Sequence, residues 1–180
     1  MTGVKNVLAI VGSASRGSLN QKLVENIAAL NAGKIKFNEY DLSSLPHFNP
    51  SESINNPPAS VIDFRKRIEE ADGVLVCTPE YIFSIPAILK NAIEWCVATT
   101  VFSDKPVGLI TASSSGIKGH EQLQLIMNTI CAIFSNETTL LISGVKSKMN
   151  IDGIITDPGT KQAVSSFADA FSDMLLKNSG

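Results

Sequence analysis

A chain of 180 residues, 44% of them hydrophobic, has enough apolar material for a full core, and a single domain over residues 1–180 is expected. The net charge of −2, with no basic run of five or more, leaves no electrostatic footprint for nucleic acid or an anionic membrane surface. Cys77, Cys96 and Cys131 stand in apolar runs without C-x-x-C spacing or companion histidines, which argues against zinc and disulfide frameworks and for buried free thiols.

In chain order, Val7, Leu8, Ala9, Ile10 and Val11 form an apolar run that reads as a buried strand. Gly12, Ser13, Ala14, Ser15, Arg16, Gly17, Ser18, Leu19 and Asn20 follow. Ser18 with Gln21 makes a capping box, so a helix starts there with its free N–H groups facing back into the loop. A phosphate dianion at that point meets Ser13, Ser15, Ser18, the Arg16 cation, the Asn20 amide and the helix N-terminus. The spacing is neither G-x-G-x-x-G nor G-x-x-x-x-G-K-[ST], which disfavours a pyrophosphate site and a P-loop and leaves a phosphate monoester. Taken alone, the loop also reads as nothing more than a capped turn.

Leu23, Val24, Ile27, Ala28 and Leu30 mark one face of the first helix. Ile35 and Phe37 alternate with Lys36 and Asn38, the pattern of an edge strand. Residues 41–58, with four prolines, four serines and three asparagines, read as loop. Val61, Phe64, Ile68 and Ala71 mark a second helix, and residues 73–77 a fully buried strand. Thr78, Pro79, Glu80, Tyr81, Ile82, Phe83 and Ser84 then lead into a helix expected over 85–98, with Ser84 as N-cap and Pro86 in its first turn. Residues 107–111 give a fourth strand, and 112–119 a polar loop containing Ser113, Ser114, Ser115 and Gly116. A helix with Leu123, Ile126, Met127, Ile130 and Phe134 on one face comes next, then a strand over 138–143. A last helix carries Val164, Phe167, Phe171, Met174 and Leu175.

Strands alternating with helices imply right-handed crossovers and an α/β fold, a doubly wound five-stranded parallel sheet of order 2-1-3-4-5. Ligands collect beyond the carboxyl ends of such strands, and the loops at Gly12, Pro79 and Ser113 all leave from those ends.

Two motifs carry a family resemblance. Gly12, Ser13, Ser18 and Asn20 match the pattern Gly-Ser-x-Arg-x-x-Ser-x-Asn. Pro79, Glu80, Tyr81, Ser84, Pro86, Leu89, Lys90, Asn91, Ala92, Ile93 and Trp95 match a longer and more specific one beginning Pro-Glu-Tyr-Asn. The chain resembles the flavodoxin-like NAD(P)H-dependent FMN reductases, a family that includes quinone and azo-dye reductases, over roughly residues 4–125. The resemblance implies FMN as cofactor and NADPH or NADH as co-substrate. It places the FMN phosphate in the first loop, at Ser13, Ser15, Arg16, Ser18, Leu19 and Asn20. It sets Pro79, Glu80, Tyr81 and Ile82 beside the isoalloxazine, and Ser113, Ser114, Ser115 and Gly116 near its pyrimidine edge. Three positions depart from the pattern: Ser15 where Arg is usual, with Arg16 adjacent, Ile82 in place of Asn, and His120 where a second glycine is common. The departures bear on substrate preference.

By the same resemblance, hydride passes from the nicotinamide to flavin N5 and on to a small acceptor such as a quinone, azo compound or free flavin. The protein then supplies an open ring face and N–H donors around residues 114–116, so no catalytic residue is named. FMN is expected over FAD, because the loop shows no room for a second phosphate and adenosine. Glu80 reads more readily as a solvated turn residue than as a substrate contact, His47 and His120 as loop and helix-start residues, and Tyr81 as a stacking residue. A flavodoxin-type electron carrier and a phosphate-binding regulatory module without turnover are the alternatives. The wide apolar arc of Ile88, Leu89, Ala92, Ile93, Trp95, Cys96 and Val97 predicts a homodimer, or a tetramer of dimers, with Trp95 as interface anchor. With no membrane-length apolar stretch and no leader-like start, the expected location is the cytoplasm.

Overall fold

Apolar runs without alternation become the centre of the sheet. In the computed structural model, which describes residues 3–15 and 17–177, β1 (Lys5–Val11), β3 (Gly73–Thr78) and β4 (Val107–Ser113) lie side by side and are almost wholly buried. The edges are β2 (Ile35–Tyr40), with Lys36, Asn38 and Glu39 exposed, and β5 (Thr139–Ser143). Every pairing is parallel and the order is β2-β1-β3-β4-β5, as expected.

Successive side chains point to opposite faces. Leu8, Ile10, Val74, Val76 and Leu109 enter the core under α3 (Ala59–Glu70), α4 (Ala87–Glu94) and α5 (Ile117–Thr129). Val7, Ala9, Leu75, Cys77 and Ile110 enter the core under α1 (Leu19–Leu30) and α7 (Pro158–Lys177). Strands buried on both faces need helices on both faces, and the near-continuous hydrophobic runs follow from that.

Several expectations are corrected. Residues 41–58 are not all loop: they hold a 3₁₀ turn at Leu42–Ser44 and a short helix, α2 (Pro50–Asn55). Asn49 caps α2 by accepting from the Ser51 N–H, and Pro50 takes the first helical position, where its missing N–H is not needed. The helix expected over 85–98 is the shorter α4. Pro86 precedes it without a side-chain cap, and the Ser84 hydroxyl instead donates to Gln122 Oε1 at 2.7 Å. Beyond Glu94 the chain tightens into three-residue turns, Cys96 N–H to Ile93 O and Val97 N–H to Glu94 O. Helix α5 ends before Ile130 and Phe134, and just past its end Cys131 takes a left-handed φ of +61°. Cys131 is exposed rather than core, whereas Cys77 and Cys96 are buried and desolvation pushes their thiols up, that of Cys96 to about 12. A one-turn helix, α6 (Val145–Lys148), follows β5 and was not anticipated.

Trp95 is completely buried within the chain, which removes it as an interface anchor. Its indole N–H donates to Pro46 O at 2.8 Å and its ring packs edge-on against Phe48, centroids 5.3 Å apart. Asn91 donates to the same carbonyl at 2.9 Å and accepts from the Phe48 N–H at 2.7 Å. The Arg65 guanidinium ties Trp95 O to Ser53. The apolar arc of α4 that suggested a partner subunit is therefore covered in part by the chain's own residues 46–53.

Candidate functional site

The first loop begins where β1 can no longer tolerate a side chain. Gly12 N–H donates to Cys77 O at 2.8 Å, and a Cβ on Gly12 would lie 2.3 Å from Thr78 Oγ1. Strands β1 and β3 thus stay in contact to their carboxyl ends, and the two loops part from one point. At the start of α1, Ser18 Oγ accepts from the Gln21 N–H at 3.2 Å, as a cap should. The reciprocal half differs from the expected box: Gln21 Oε1 accepts from the N–H of Gly17, not of Ser18, at 2.7 Å. Gly17 permits this with φ at +67°.

Because Ser18 Oγ accepts at the cap, its proton remains for a ligand, next to the N–H groups of Leu19 and Asn20 in the first turn. The Asn20 side chain has a different task from the one expected. It is buried, donates to Ala112 O at 3.2 Å and receives the Cys77 thiol, so it clamps α1 to β3 and β4. Arg16 lies outside the described residues.

Glu80 corrects the sequence reading most. It is not a solvated turn residue: Oε2 accepts from the Gly119 N–H at 2.8 Å and Oε1 from the Gly116 N–H at 3.2 Å. A carboxylate there satisfies orphan donors of α5 and meets its positive end. The approach is close enough that a Cβ on Gly119 would sit 3.2 Å from Glu80 Cβ, and Gly116, with φ at +87°, turns the chain into the helix. The Gly116 N–H, expected to serve a ligand, is therefore occupied. Ser143 Oγ and Gly144 N–H bind the carbonyls of Ser115 and Ser114 at 2.6 and 3.0 Å and the Ser113 hydroxyl donates to Glu80 O at 3.4 Å, so the donors this loop keeps are the N–H and hydroxyl groups of Ser114 and Ser115. His120, one residue beyond Gly119, places Nδ1 3.0 Å from Thr111 Oγ1, and burial lowers its pKa below the usual 6.5.

The three loops enclose a cleft of about 480 Å³. Of the expected residues it is lined by Ser13, Ser15, Ser18, Leu19, Asn20, Pro79, Glu80, Tyr81, Ser113 and Ser114. Ser115, Gly116 and Ile82 are not part of that lining. Lys146 on α6 is, and it was missed although it leaves the carboxyl end of β5 as the other loops leave theirs. With both Glu80 oxygens engaged by N–H groups, Lys146 is the one cationic side chain among the described lining residues. A second cleft, about 400 Å³, adjoins the first loop on its other flank, between Ser13, Ser15, Glu39 and Asp41. Space beside the first loop is thus present, against expectation, but two carboxylates border it.

A doubly wound sheet with a hydroxyl-lined helix N-terminus at its switch point and two further loops closing over it defines a flavodoxin-like phosphate-ligand-binding protein. The family model of NADPH-dependent FMN reductases matches residues 5–146, and the chain belongs to that family. It is 32% identical to an NAD(P)H:quinone oxidoreductase of Solanum tuberosum, over 98% of this chain and 96% of that one. It is 29% identical to a 2-hydroxy-1,4-benzoquinone reductase of a Burkholderia species, over 92% and 93%. Among solved structures it superposes on FerB, a flavoenzyme NAD(P)H:(acceptor) oxidoreductase from Paracoccus denitrificans, with a TM-score of 0.77 and 29% identity, covering 97% of this chain and 98% of that one.

Proposed function

We infer that the chain, read as one FMN-binding domain over residues 1–180, is an NAD(P)H-dependent FMN reductase that passes electrons to small acceptors of the quinone class. The observation that carries the reading is the convergence of three carboxyl-end loops on one cleft, with hydroxyl donors at the helix start and backbone donors across from them. The donor set fits a phosphate monoester. Ser13, Ser15, Ser18 and the first N–H groups of α1 would hold the phosphate, with Lys146 adding positive charge. When bound, FMN supplies the two-electron exchange between a reduced nicotinamide and an acceptor. Ser114, which lines the cleft, would hold charge at the pyrimidine edge, and Tyr81 would border the ring. No side-chain acid or base is assigned.

Charge, not space, favours FMN over FAD, since Glu39 and Asp41 would face a second phosphate. The flavodoxin-type carrier is less favoured, because a net charge of −2 gives little field for steering a protein partner. A homodimer is supported by exposed Val97 beyond α4 and Leu125 on α5, without Trp95; a sedimentation monomer at tens of micromolar overturns it. Three free thiols suit a reducing, cytoplasmic setting, and no described helix is long and apolar enough to cross a membrane.

The test is to titrate apoprotein with FMN, FAD and riboflavin, then follow NADPH and NADH oxidation with a quinone. FMN should bind tightest and support turnover. Binding of no flavin, or flavin binding without NAD(P)H oxidation, would sink the reading.

A further inference from the structure

We propose that Ile82 and Phe83 form an apolar lip that selects acceptors carrying a hydrocarbon substituent, an inference that rests on the reductase reading above. The turn that holds them is closed by two hydrogen bonds, Tyr81 N–H to Ser84 O at 2.9 Å and Ser84 N–H to Tyr81 O at 3.1 Å. Both central residues lie in the left-handed region, Ile82 at φ +51° and Phe83 at φ +56°. Such a turn asks for Asn-Gly, and a β-branched residue is among its poorest occupants.

Packing within the chain does not compensate, for Ile82 is 95% and Phe83 72% exposed. The conformation is imposed from the flanks, by Glu80 on the α5 N–H groups, by Ser84 on Gln122, and by buried Ile85 and Pro86 ahead of α4. These two side chains therefore raise the free energy twice, through backbone strain and through hydrocarbon left in water. Asn at position 82 would relieve both. Strain that gains nothing inside the chain points to a ligand outside it, and the neighbouring Tyr81, 47% exposed, lines the cleft. A planar acceptor entering beside Tyr81 meets the polar cleft on one side and hydrocarbon on the Ile82 side. The fitting occupant is a quinone-type ring, polar at its carbonyls and apolar in its substituent.

The experiment compares 2,3-dimethoxy-5-methyl-1,4-benzoquinone with the same ring bearing a 6-decyl chain, using protein loaded with FMN. Binding is measured by equilibrium dialysis without NAD(P)H, turnover as kcat/KM, and assembly by sedimentation. Wild type should prefer the decyl form in both binding and kcat/KM, and Ile82→Asn or Phe83→Ser should shrink that preference roughly fourfold to fifteenfold, about one to two methylene contacts. Ile82→Val should keep it. Ile82→Asn relieves strain, so loss of folding does not confuse the result. A binding preference without turnover supports the lip while removing the reductase reading. Equal binding of the two quinones by wild type, or a ratio unmoved in the variants, overturns the lip. Variants that change sedimentation but not the ratio assign the turn to a second copy of the chain, which also overturns it.

Discussion

Glu80 carries two loads on one carboxylate, and each is measurable. Glu80→Ala removes acceptors from the Gly116 and Gly119 N–H groups and should cost about 1–3 kcal/mol in urea unfolding, the range for bonds to a charged group at a partly exposed site. Those two amides should also lose protection in hydrogen exchange. His120 gives a pH dependence with a defined sign. Its folded pKa lies below 6.5 because burial disfavours the cation, so the unfolded chain binds the proton more readily. Stability is full above about 6.5 and falls as pH drops toward the lowered folded value; His120→Gln should flatten that slope in urea midpoints measured from pH 7 to pH 5. Neither role was legible locally. The partners of Glu80 lie 36 and 39 residues further on, and that of His120 on a neighbouring strand, so only the folded sheet brings them together.

At the scale of elements, Trp95 is a clamp on the chain's own segment. Trp95→Ala should cost about 3–5 kcal/mol, as for a large buried aromatic, and should open residues 46–56 to limited proteolysis while leaving the sedimentation coefficient at its wild-type value. The strands were legible because burial on both faces writes them as unbroken apolar runs, Val74 to Cys77 above all. Helix α4 stops short of the expected residue 98 for the opposite reason. Residues 95–98 suit a helix by type, yet Trp95 is drawn toward Pro46 and Phe48, and the backbone tightens to follow. Helix α2 is not legible by periodicity, although Asn49, Pro50 and Glu52 spell a helix start, because it is too short to show an apolar period. Ser18 was readable as a cap from its own neighbourhood, whereas the Asn20 amide, which looked free for phosphate, is taken by Ala112 O across the sheet.

For the molecule as a whole, ligand linkage offers a check that does not depend on turnover. FMN at a hundredfold excess over its dissociation constant should add about 2.7 kcal/mol to unfolding free energy. Ser18→Ala, which also loses a cap worth about 1 kcal/mol, should weaken FMN by about 1.5–3 kcal/mol while riboflavin is hardly affected, since only the phosphate bond is charge-assisted. Equal weakening of both flavins in calorimetric titration would place the phosphate elsewhere.

The contact at Gly12 has a wider consequence. By keeping β1 hydrogen-bonded to β3 up to the point where the loops diverge, it makes the sheet a ruler. The first loop and the serine loop leave the ends of β1 and β4, two strand intervals apart with β3 between them, about 10 Å at ordinary strand spacing. The span between the roots of the two loops is counted in strands. Substitutions in the loops can therefore change what is recognised at each end while the measure between the ends stays constant.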